Sequence, residues 1–295
     1  MVHSAAIERV LTEDFGIEVA SVTKTRGGDI NDAFRAETSD GSIFVKSSPG
    51  AQAGMFTAEA AGLQWLSEKS AIATPEVVGV HDPLAADSGP RLLALQWIDE
   101  GSIDAERLGR QLAAMHRLGA TSFGFTPGPD NNAPMRFNDL SLPNDPHPTF
   151  AEFYATNRII PLTEQSATIG RLSSSAASTM LTLADRIDDF AGPPEAPART
   201  HGDLWIGNVM ASTNGTPYLI DPVAHGGHRE VDLANLTVFG GPGQRTFDAY
   251  DETFPIADGF EDRVPLWQLA MILLHVYLFG GSYEAQALSI ANRYV

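Results

Sequence analysis

The stretch HGDLWIGN, residues 201–208, is the part of the sequence from which the fold is inferred. It places Asp203 and Asn208 in an Asp-x-x-x-x-Asn pattern within a segment of small and polar residues. A second carboxylate, Asp221, follows at the end of a short apolar run, residues 218–220. Carboxylates accept protons from reacting groups, and carboxylate and amide oxygens are the ligands that Mg²⁺ prefers. The three side chains are therefore candidates for a single reaction centre.

Phosphoryl transfer requires such a set of groups. One carboxylate accepts the proton of the attacking hydroxyl group, a role that we predict for Asp203. An amide oxygen and a second carboxylate hold Mg²⁺ against the phosphates, and Asn208 and Asp221 fit these roles. The Asp-x-x-x-x-Asn spacing is that of the catalytic loop in protein kinases. The structural alternative makes Asp203 a helix cap and Asn208 a turn residue, but the flanking His-Gly and Leu-Ile-Asp sequences favour catalysis.

Two charged residues in the first part of the chain complete this pattern. Lys46 closes a predicted strand and Glu59 lies inside the following predicted helix. A kinase needs a lysine on the α- and β-phosphates and a glutamate that holds this lysine. Taken singly, Lys46 is an ordinary edge-strand lysine and Glu59 an ordinary solvated residue. Gly27 and Gly28 lie in a turn upstream that is neither G-x-G-x-x-G nor Walker A. Two glycines in a hairpin more often form only a tight turn, and only their position before Lys46 favours a phosphate-binding role.

The order of predicted elements indicates an α+β fold with two lobes. We predict a small antiparallel β-rich N-lobe at residues 1–97, which binds the nucleotide, and a larger, mostly helical C-lobe at residues 98–295, which carries the catalytic and acceptor-binding groups. The supporting segments are a leading helix in 1–20, a turn at 26–31, a strand at 43–46, a helix at 56–70, strands at 75–80 and 92–98, a helix at 103–118, a loop at 120–148, helices within 149–190 and a hairpin spanning 209–220.

Composition narrows the classes of function. The chain has 295 residues, of which 43% are hydrophobic and 19% are charged, and its net charge is −18. This is typical of a folded protein that is long enough to bury a core. An acidic chain is a poor candidate for nucleic-acid binding, which requires clustered lysine and arginine. The charge favours solubility and would also attract a cationic substrate.

The sequence contains no cysteine, which excludes disulfides, thiolate nucleophiles and cysteine metal sites. The first residues lack a basic segment followed by an apolar one and do not predict a signal peptide. Residues 266–281 are apolar but contain Gln268 and His275, and they are shorter than the roughly 20 residues of a membrane span. We interpret them as a buried helix and expect a cytoplasmic protein without a membrane partner.

The segment 201–208 and several other segments of the chain resemble the fructosamine kinase (ketosamine-3-kinase) family, within a protein-kinase-like clan that includes aminoglycoside and choline kinases. The resemblance covers most of the chain, and the Leu-Trp after Asp203 and the Asp-Pro at 221–222 are its most specific features. The matching segments are 26–31, 44–46, 59–63, 112–117, 123–125, 201–208, 220–222, 228–234 and 239–241.

The resemblance implies an ATP- and Mg²⁺-dependent transfer of the γ-phosphate to a sugar hydroxyl group of a ketosamine, the 3-hydroxyl in the family's known cases. Such an enzyme repairs glycated amines, either as small molecules or on proteins. The implied site residues are Asp203 as base, Asn208 and Asp221 on Mg²⁺, Lys46 and Glu59 on ATP, Gly27, Gly28 and Asn31 over the phosphates, Leu95, Gln96, Trp97 and Ile98 beside adenine, and Trp205 and His201 near the acceptor. Core packing is an equal alternative for Trp205.

Departures from the family concern regulation and the acceptor. Some members carry a cysteine in the Gly-rich loop that is linked to redox-sensitive dimerisation, which cannot operate here; we expect a monomer or a weak dimer. Residues 127–148 and 223–227 differ from the usual family sequence near the predicted acceptor side. Another hydroxyl acceptor, such as an aminoglycoside or an amino alcohol, and a non-catalytic nucleotide-binding protein therefore remain alternatives.

Four polar residues after Asp221 have competing interpretations. His225 and His228 form a weak zinc signal, because no closed set of ligands accompanies them. We predict that Glu230 and Asp232 are structural and tie this segment to the catalytic loop.

Overall fold

The computed structural model describes residues 2–25, 31–48, 51–85, 89–137 and 139–295. Its first part contains a five-stranded sheet in the order β1-β2-β3-β5-β4, in which all neighbouring strands are antiparallel. The elements are α1 (Val2–Glu13), β1 (Val19–Lys24), β2 (Asp32–Thr38), β3 (Gly41–Ser47), α2 (Met55–Leu66), β4 (Val77–His81) and β5 (Leu92–Gln96).

Strand β5 explains how this sheet is held between the two helices. Leu92 and Ala94 belong to an apolar cluster with α1, whereas Leu93 and Leu95 belong to a cluster with α2. Because successive side chains of a strand point to opposite faces, a continuous apolar run buries both faces. All four side chains are at most 3% exposed. The helices thus fix β3, which neighbours β5, in the middle of the sheet.

The second part is mostly helical. Its elements are α3 (Ala105–Arg117), β6 (Met135–Phe137), β7 (Leu140–Leu142), α4 (Phe150–Tyr154), a π-helical turn (Ala155–Ile159), α5 (Ile160–Thr168), α6 (Ser174–Ala184), β8 (Ala198–Thr200), β9 (Val209–Ala211), β10 (Pro217–Leu219), β11 (His225–Gly227), α7 (Arg229–Asn235), α8 (Gln244–Thr253), α9 (Phe260–Phe279) and α10 (Ser282–Ala291). The predicted α+β architecture, with a small antiparallel sheet followed by a larger helical part, is confirmed.

The structure corrects several predicted boundaries. The leading helix ends at Glu13 rather than near residue 20, and α2 ends at Leu66. Lys69 and Ser70, placed in this helix by the sequence pattern, have left-handed backbone conformations. The loop predicted at 120–148 contains the hairpin of β6 and β7, and β11 pairs with β8 in a part of the chain that we expected to be mostly helical. The described part of the turn at 26–31 is Asn31 alone.

Helix α9 confirms the buried helix predicted at residues 266–281. Its side chains at Leu266, Trp267, Leu269, Ile272 and Leu273 are fully buried. Nowhere in the described ranges does a helix combine the length and apolar character needed to cross a membrane.

The connection between the two parts is pinned to the hairpin of β9 and β10. The backbone N–H of Gly101 donates to the Ala211 carbonyl at 2.8 Å, and Glu100 forms an isolated bridge with Ser212. A Cβ atom at position 101 would collide with the Ser212 carbonyl oxygen, so the close approach requires glycine. This contact holds the hairpin of β9 and β10, which follows the loop of residues 201–208, beside the connection between the two parts.

Candidate active site

Lys46 joins the sheet to the segment after β10. It lies on β3, and its Nζ atom is 3.0 and 2.9 Å from the two carboxylate oxygens of Glu59 on α2 and 3.0 Å from Oδ1 of Asp221. Lys46 and Glu59 are 7% and 9% exposed. Burial opposes the charge on Lys46, but Glu59 and Asp221 outweigh it and raise the pKa of Lys46 above its ordinary value. Burial raises the pKa of Glu59, the neighbouring Asp221 carboxylate adds to the rise, and Lys46 opposes it.

Asp221 has an unusual backbone. Its φ angle is 54°, in the left-handed region that non-glycine residues rarely adopt. Such conformations persist where the surrounding structure enforces them, and they cluster at functional sites. The backbone N–H of the preceding residue, Ile220, donates to the Asn208 carbonyl at 3.1 Å. The bend at Asp221 is therefore held by the same loop that carries Asp203.

Asp203 and Asn208 are in direct contact. Asn208 lies in a single 3-10 turn, and its Nδ2 donates to the carbonyl of Asp203 at 2.8 Å and to its Oδ2 at 3.1 Å. Burial raises the pKa of Asp203, and Asp221 adds to the rise, whereas Asn208 opposes it. A carboxylate with a raised pKa is better suited to accept a proton near neutral pH. The Asn208 amide orients this carboxylate.

His201 does not occupy the acceptor side that we predicted for it. The side chain is fully buried. Its Nε2 lies 2.8 Å from the Ile220 carbonyl and donates to it, while Nδ1 accepts from the Asp203 backbone N–H at 3.2 Å. Both ring nitrogens are thus occupied within the protein, which favours a positioning role. The imidazole connects the loop of Asp203 to the strand that leads to Asp221.

Asp232 binds the backbone of the catalytic loop, residues 201–208. It is fully buried on α7 and accepts hydrogen bonds from the backbone N–H groups of His201 at 2.7 Å and Gly202 at 3.0 Å. His116 on α3 donates to it at 3.2 Å, and the Tyr250 hydroxyl lies 2.8 Å from the other His116 nitrogen. Burial would raise the pKa of Asp232, but these partners outweigh burial and lower it. Asp232 thus ties the segment to the catalytic loop, as predicted.

Glu230 has a different function in the fold. Its carboxylate accepts from Arg263 Nε and Nη2 at 2.8 and 2.6 Å and from Trp267 Nε1 at 2.9 Å. The prediction that Glu230 binds the catalytic loop is therefore wrong, because its side chain points to α9. The sequence spacing cannot separate the two neighbouring carboxylates, since both are buried on one short helix.

The nucleotide side is only partly described. Gly27 and Gly28 lie outside the described residues, and Asn31 is half-buried before β2. Leu95 and Gln96 pair within the sheet, and the Gln96 N–H already donates to the Glu76 carbonyl at 2.8 Å.

Trp97 and Ile98 follow the end of β5 and take no part in the strand pairing of the described sheet. Of the four residues predicted beside adenine, these two are therefore the ones with backbone groups outside the sheet.

A cavity with an empty volume of about 590 Å³, including its mouth, opens beside Asp203. Apolar and aromatic side chains form most of its wall, together with a few polar groups. The wall includes Phe150, Phe153, Arg158, His225, Asp232 and Asn235. Trp205 is not part of this wall; it is half-buried, and its ring contacts Phe239 at 5.7 Å.

Three residues of this cavity were not predicted from the sequence. Phe150, Phe153 and Arg158 come from α4 and the π-helical turn, where helical spacing predicts a buried face. The pattern does not show whether such a face lines a core or a cavity. The sequence feature that could have indicated a cavity is Arg158, a charged residue on an otherwise apolar face.

His225 and His228 have separate structural contacts. His225 Nδ1 donates to the Val223 carbonyl at 2.9 Å, and burial lowers its pKa to about 4. His228 Nδ1 accepts the backbone N–H of Glu230 at 3.2 Å and begins α7. Within the ranges that the structure describes, three acidic, histidine or cysteine side chains do not converge as a closed metal site requires.

Comparison with known proteins assigns the chain to a family. The family model for fructosamine kinase matches residues 3–295. A crystal structure from Thermobifida fusca YX-ER1, of a protein assigned as a fructosamine-3-kinase, is 41% identical, with a TM-score of 0.86 and coverage of 99% of this chain and 98% of the other. A Thermus thermophilus protein assigned as a ketoamine kinase is 34% identical over 257 residues, 87% of each chain.

A more distant match concerns the fold alone. The choline kinase LicA of Streptococcus pneumoniae is 14% identical, with a TM-score of 0.64 and coverage of 99% of this chain and 98% of that chain. This likeness shows a protein-kinase-like phosphotransferase fold. Because the family model spans nearly the whole sequence, the chain belongs to the fructosamine kinase family.

Proposed function

We propose that this chain transfers the γ-phosphate of ATP to a sugar hydroxyl group of a ketosamine, free or protein-bound. The observation that carries the proposal is a set of contacts in two groups. Asn208 contacts Asp203, and Lys46 contacts both Glu59 and Asp221. The hydrogen bond from the Ile220 N–H to the Asn208 carbonyl joins the two groups. Of this set, Asp203 lies on the cavity wall and Lys46 lies on strand β3 of the sheet. The family of the chain and the names of its relatives support the ketosamine as the acceptor.

In this reaction, Asp203 acts as the general base. The acceptor hydroxyl oxygen forms a bond to the γ-phosphorus while the bond between this phosphorus and the bridging oxygen of ADP breaks. The hydroxyl proton passes to the Asp203 carboxylate, and ADP leaves with the bonding electron pair. Asn208 keeps the carboxylate oriented through its Nδ2 hydrogen bonds. His201 and Asp232 position the loop without contacting the reacting atoms.

The available oxygens fit a magnesium ion. Asn208 directs its N–H groups at Asp203, which leaves its amide oxygen as a ligand, and Asp221 adds a carboxylate that is one-third exposed. Mg²⁺ prefers such hard oxygens and commonly takes only one or two protein ligands, completed by phosphate and water. When bound, it would neutralise charge on the phosphates.

The sheet supplies the nucleotide side. Lys46 is held by Glu59 and would contact the α- and β-phosphates, beneath a loop that contains Gly27, Gly28 and Asn31. The adenine would lie against residues 95–98. In this assignment, residues 1–97 form the nucleotide-binding lobe and residues 98–295 form the catalytic and acceptor-binding lobe.

The test combines an acceptor panel with one substitution. Wild-type protein is incubated with ATP, Mg²⁺ and fructosyl-, ribulosyl- or erythrulosyl-lysine, and the phosphorylated adduct is scored by mass. We expect at least one ketosamine to be phosphorylated at its sugar. Asp203→Asn should lower kcat by about three orders of magnitude or more, because the base is lost, while the Kd for ATP stays close to the wild-type value.

Two results would contradict this proposal. Phosphorylation by Asp203→Asn at the wild-type rate would show that the base is misassigned. Turnover of an aminoglycoside or an amino alcohol, with no ketosamine phosphorylated, would leave the phosphotransfer chemistry in place and replace the acceptor.

A further inference from the structure

Arg158 is a buried cation in an irregular part of the helical region. It lies in the π-helical turn Ala155–Ile159 between α4 and α5 and is 5% exposed. A π-helical turn inserts an extra residue into a helix and is frequent at functional sites. The neighbouring residue Asn157 is 1% exposed and donates to the Asp145 carbonyl at 2.8 Å. The turn therefore presents two consecutive buried polar side chains.

The guanidinium group of Arg158 contacts only neutral groups. Nη1 donates to the carbonyls of Pro143 at 2.8 Å and Asn157 at 2.9 Å, and Nη2 donates to Asn144 Oδ1 at 2.6 Å. The guanidinium carbon lies 4.7 Å from the centre of the Phe153 ring. Of its five N–H groups, those on Nε and one on Nη2 have no hydrogen-bond acceptor in the described part of the chain.

Three other buried arginines are each paired with a glutamate carboxylate, and Arg158 lacks such a partner among the described residues. Arg199 pairs with Glu68 at 3.0 Å, Arg229 with Glu195 at 2.7 Å and Arg263 with Glu230 at 2.6 Å. No ion pair of this kind joins Arg158 to a carboxylate anywhere in the ranges that the structure describes. An unpaired buried charge is costly, and burial lowers the pKa of Arg158 to about 9, which still leaves it cationic at neutral pH.

This charge lies on the wall of the cavity that contains Asp203. None of the other ionisable groups of the wall forms an ion pair with Arg158 among the described residues. Asp232 is used by His116 and the catalytic loop, and Asp203 accepts a hydrogen bond from Asn208. Burial lowers the pKa of His225 and of His228 and raises that of Tyr154, so that these three side chains are neutral near neutral pH. Asn235, 3% exposed, has an Oδ1 atom that accepts no hydrogen bond from the described residues. The cavity wall thus holds a cation without an ion-pair partner among the described residues and an amide oxygen that accepts no hydrogen bond from them.

We infer that Arg158 binds an oxyanion carried by the acceptor, so that the preferred acceptors are anionic ketosamines. A guanidinium group with two available N–H groups suits a carboxylate or a phosphate, and the bond is strengthened by charge on both partners. The oxyanion is either the α-carboxylate of a glycated amino acid or a phosphate ester on the sugar. The inference rests on the proposed function and names the substrate class of the same site.

A structural role alone would make Arg158 a clamp for the loop at residues 143–145. Such a clamp would affect neutral and anionic acceptors equally, whereas binding of an oxyanion affects only the anionic ones. The ratio of kcat/KM between matched acceptors therefore separates the two roles.

The experiment compares three ketosamines of the same sugar: fructosyl-glycine, the neutral fructosyl-glycinamide and the 6-phosphate of the glycinamide. Arg158→Met keeps most of the apolar stem and removes the charge. Arg136→Met is the matched control, since Arg136 is an exposed cation on β6 between two residues of the cavity wall. We expect wild type and Arg136→Met to favour one anionic acceptor over the amide by about tenfold or more in kcat/KM, mainly through KM.

Arg158→Met should reduce this preference to about one, and the favoured acceptor identifies a carboxylate or a phosphate as the source. Equal kcat/KM for all three acceptors in wild type would overturn the inference and leave the proposed function intact. A preference that persists in Arg158→Met would also overturn it. Absence of phosphorylation of all three would contradict the proposed function itself. If Arg158→Met does not fold, the wild-type ratio decides, together with Arg158→Lys, which should retain part of the preference.

Discussion

The nucleotide side and the acceptor side of the candidate active site hold their buried cations differently. Lys46 is shared between the carboxylates of Glu59 and Asp221, whereas the hydrogen bonds of Arg158 within the described chain all go to carbonyl and amide oxygens. On the first side the protein supplies its own counter-charges, and the geometry is set before any ligand binds. On the acceptor side the negative charge that would balance Arg158 is left for a ligand. The preferred acceptor is therefore one that carries such a charge.

The same difference separates chemistry from specificity. The residues around Asp203 are fixed by short-range contacts within residues 201–208 and by Asp232 beneath them. The cavity wall is assembled from α4, the π-helical turn, β11 and α9, which are far apart in the sequence. A change in the wall can therefore alter the acceptor without altering phosphoryl transfer. The following predictions test each half of this comparison.

On the nucleotide side, loss of Lys46 should have a large effect on activity, second to the loss of Asp203. Lys46→Met removes the cation that would contact the phosphates and leaves two carboxylates facing each other. We expect kcat/KM for ATP to fall by about 100- to 1,000-fold, as when a positioned charge is removed from a transition state. The measurement is steady-state kinetics in a coupled ADP assay.

Lys24→Met is the matched control for this substitution. Lys24 is an exposed lysine of the same sheet, and its pairing with Asp32 lies at the surface. We expect near wild-type activity, because surface ion pairs contribute little. If both variants lose activity to the same extent, the loss reflects the sheet rather than the site.

Asp232 and Glu230 should behave oppositely although they lie two residues apart on α7. Asp232→Asn replaces a carboxylate that accepts two loop N–H groups, and we expect kcat to fall by about tenfold to a hundredfold as Asp203 is misplaced. Glu230→Gln leaves Arg263 buried without its partner, and we expect the free energy of unfolding to fall by about 3 kcal/mol with kcat unchanged.

Urea unfolding followed by circular dichroism, alongside kcat at saturating substrate, distinguishes the two substitutions. Equal loss of kcat in both variants would show that α7 acts on the site as one unit. A normal kcat in Asp232→Asn would contradict its role as support of the catalytic loop.

Much of the nucleotide side could be predicted from the sequence because its determinants are local. The continuous apolar run of β5 predicts a strand buried on both faces, and Lys46 and Glu59 stand at positions that the adjacent strand and helix bring together. The Asp-x-x-x-x-Asn spacing similarly predicts a contact that the structure contains. In each case a few consecutive residues specify the geometry.

The acceptor side could not be predicted in the same way. Strands β8 and β11 have three residues each and exist only because residues 198–200 and 225–227 meet in the fold. The burial of His201 follows from the position of Ile220, and the unpaired state of Arg158 follows from the absence of a carboxylate among its tertiary neighbours in the described chain. Neither property leaves a periodic signal.

The smallest expected effect is a shift in pH dependence. A general base works in its ionised form, so kcat/KM should rise with pH through the pKa of Asp203. Burial raises this pKa and the hydrogen bond from Asn208 lowers it. Asn208→Asp removes that N–H donor and adds a negative charge, and both changes favour the protonated form of Asp203. The acid limb of the pH profile should therefore move to higher pH.

The measurement is the pH at which the acid limb of the profile lies. The maximal rate does not serve for this purpose, because it also falls when Asn208 is substituted. Asn208→Ala gives a second measure, since it removes the donor without adding charge, and its limb should move in the same direction but less far. Both profiles are recorded at saturating Mg²⁺ with the same acceptor as the wild-type profile, so that titration of the acceptor amine is common to all three. A limb that stays in place in both variants would show that another group controls the acid side, and the contact between Asp203 and Asn208 would then be a structural feature of the loop alone.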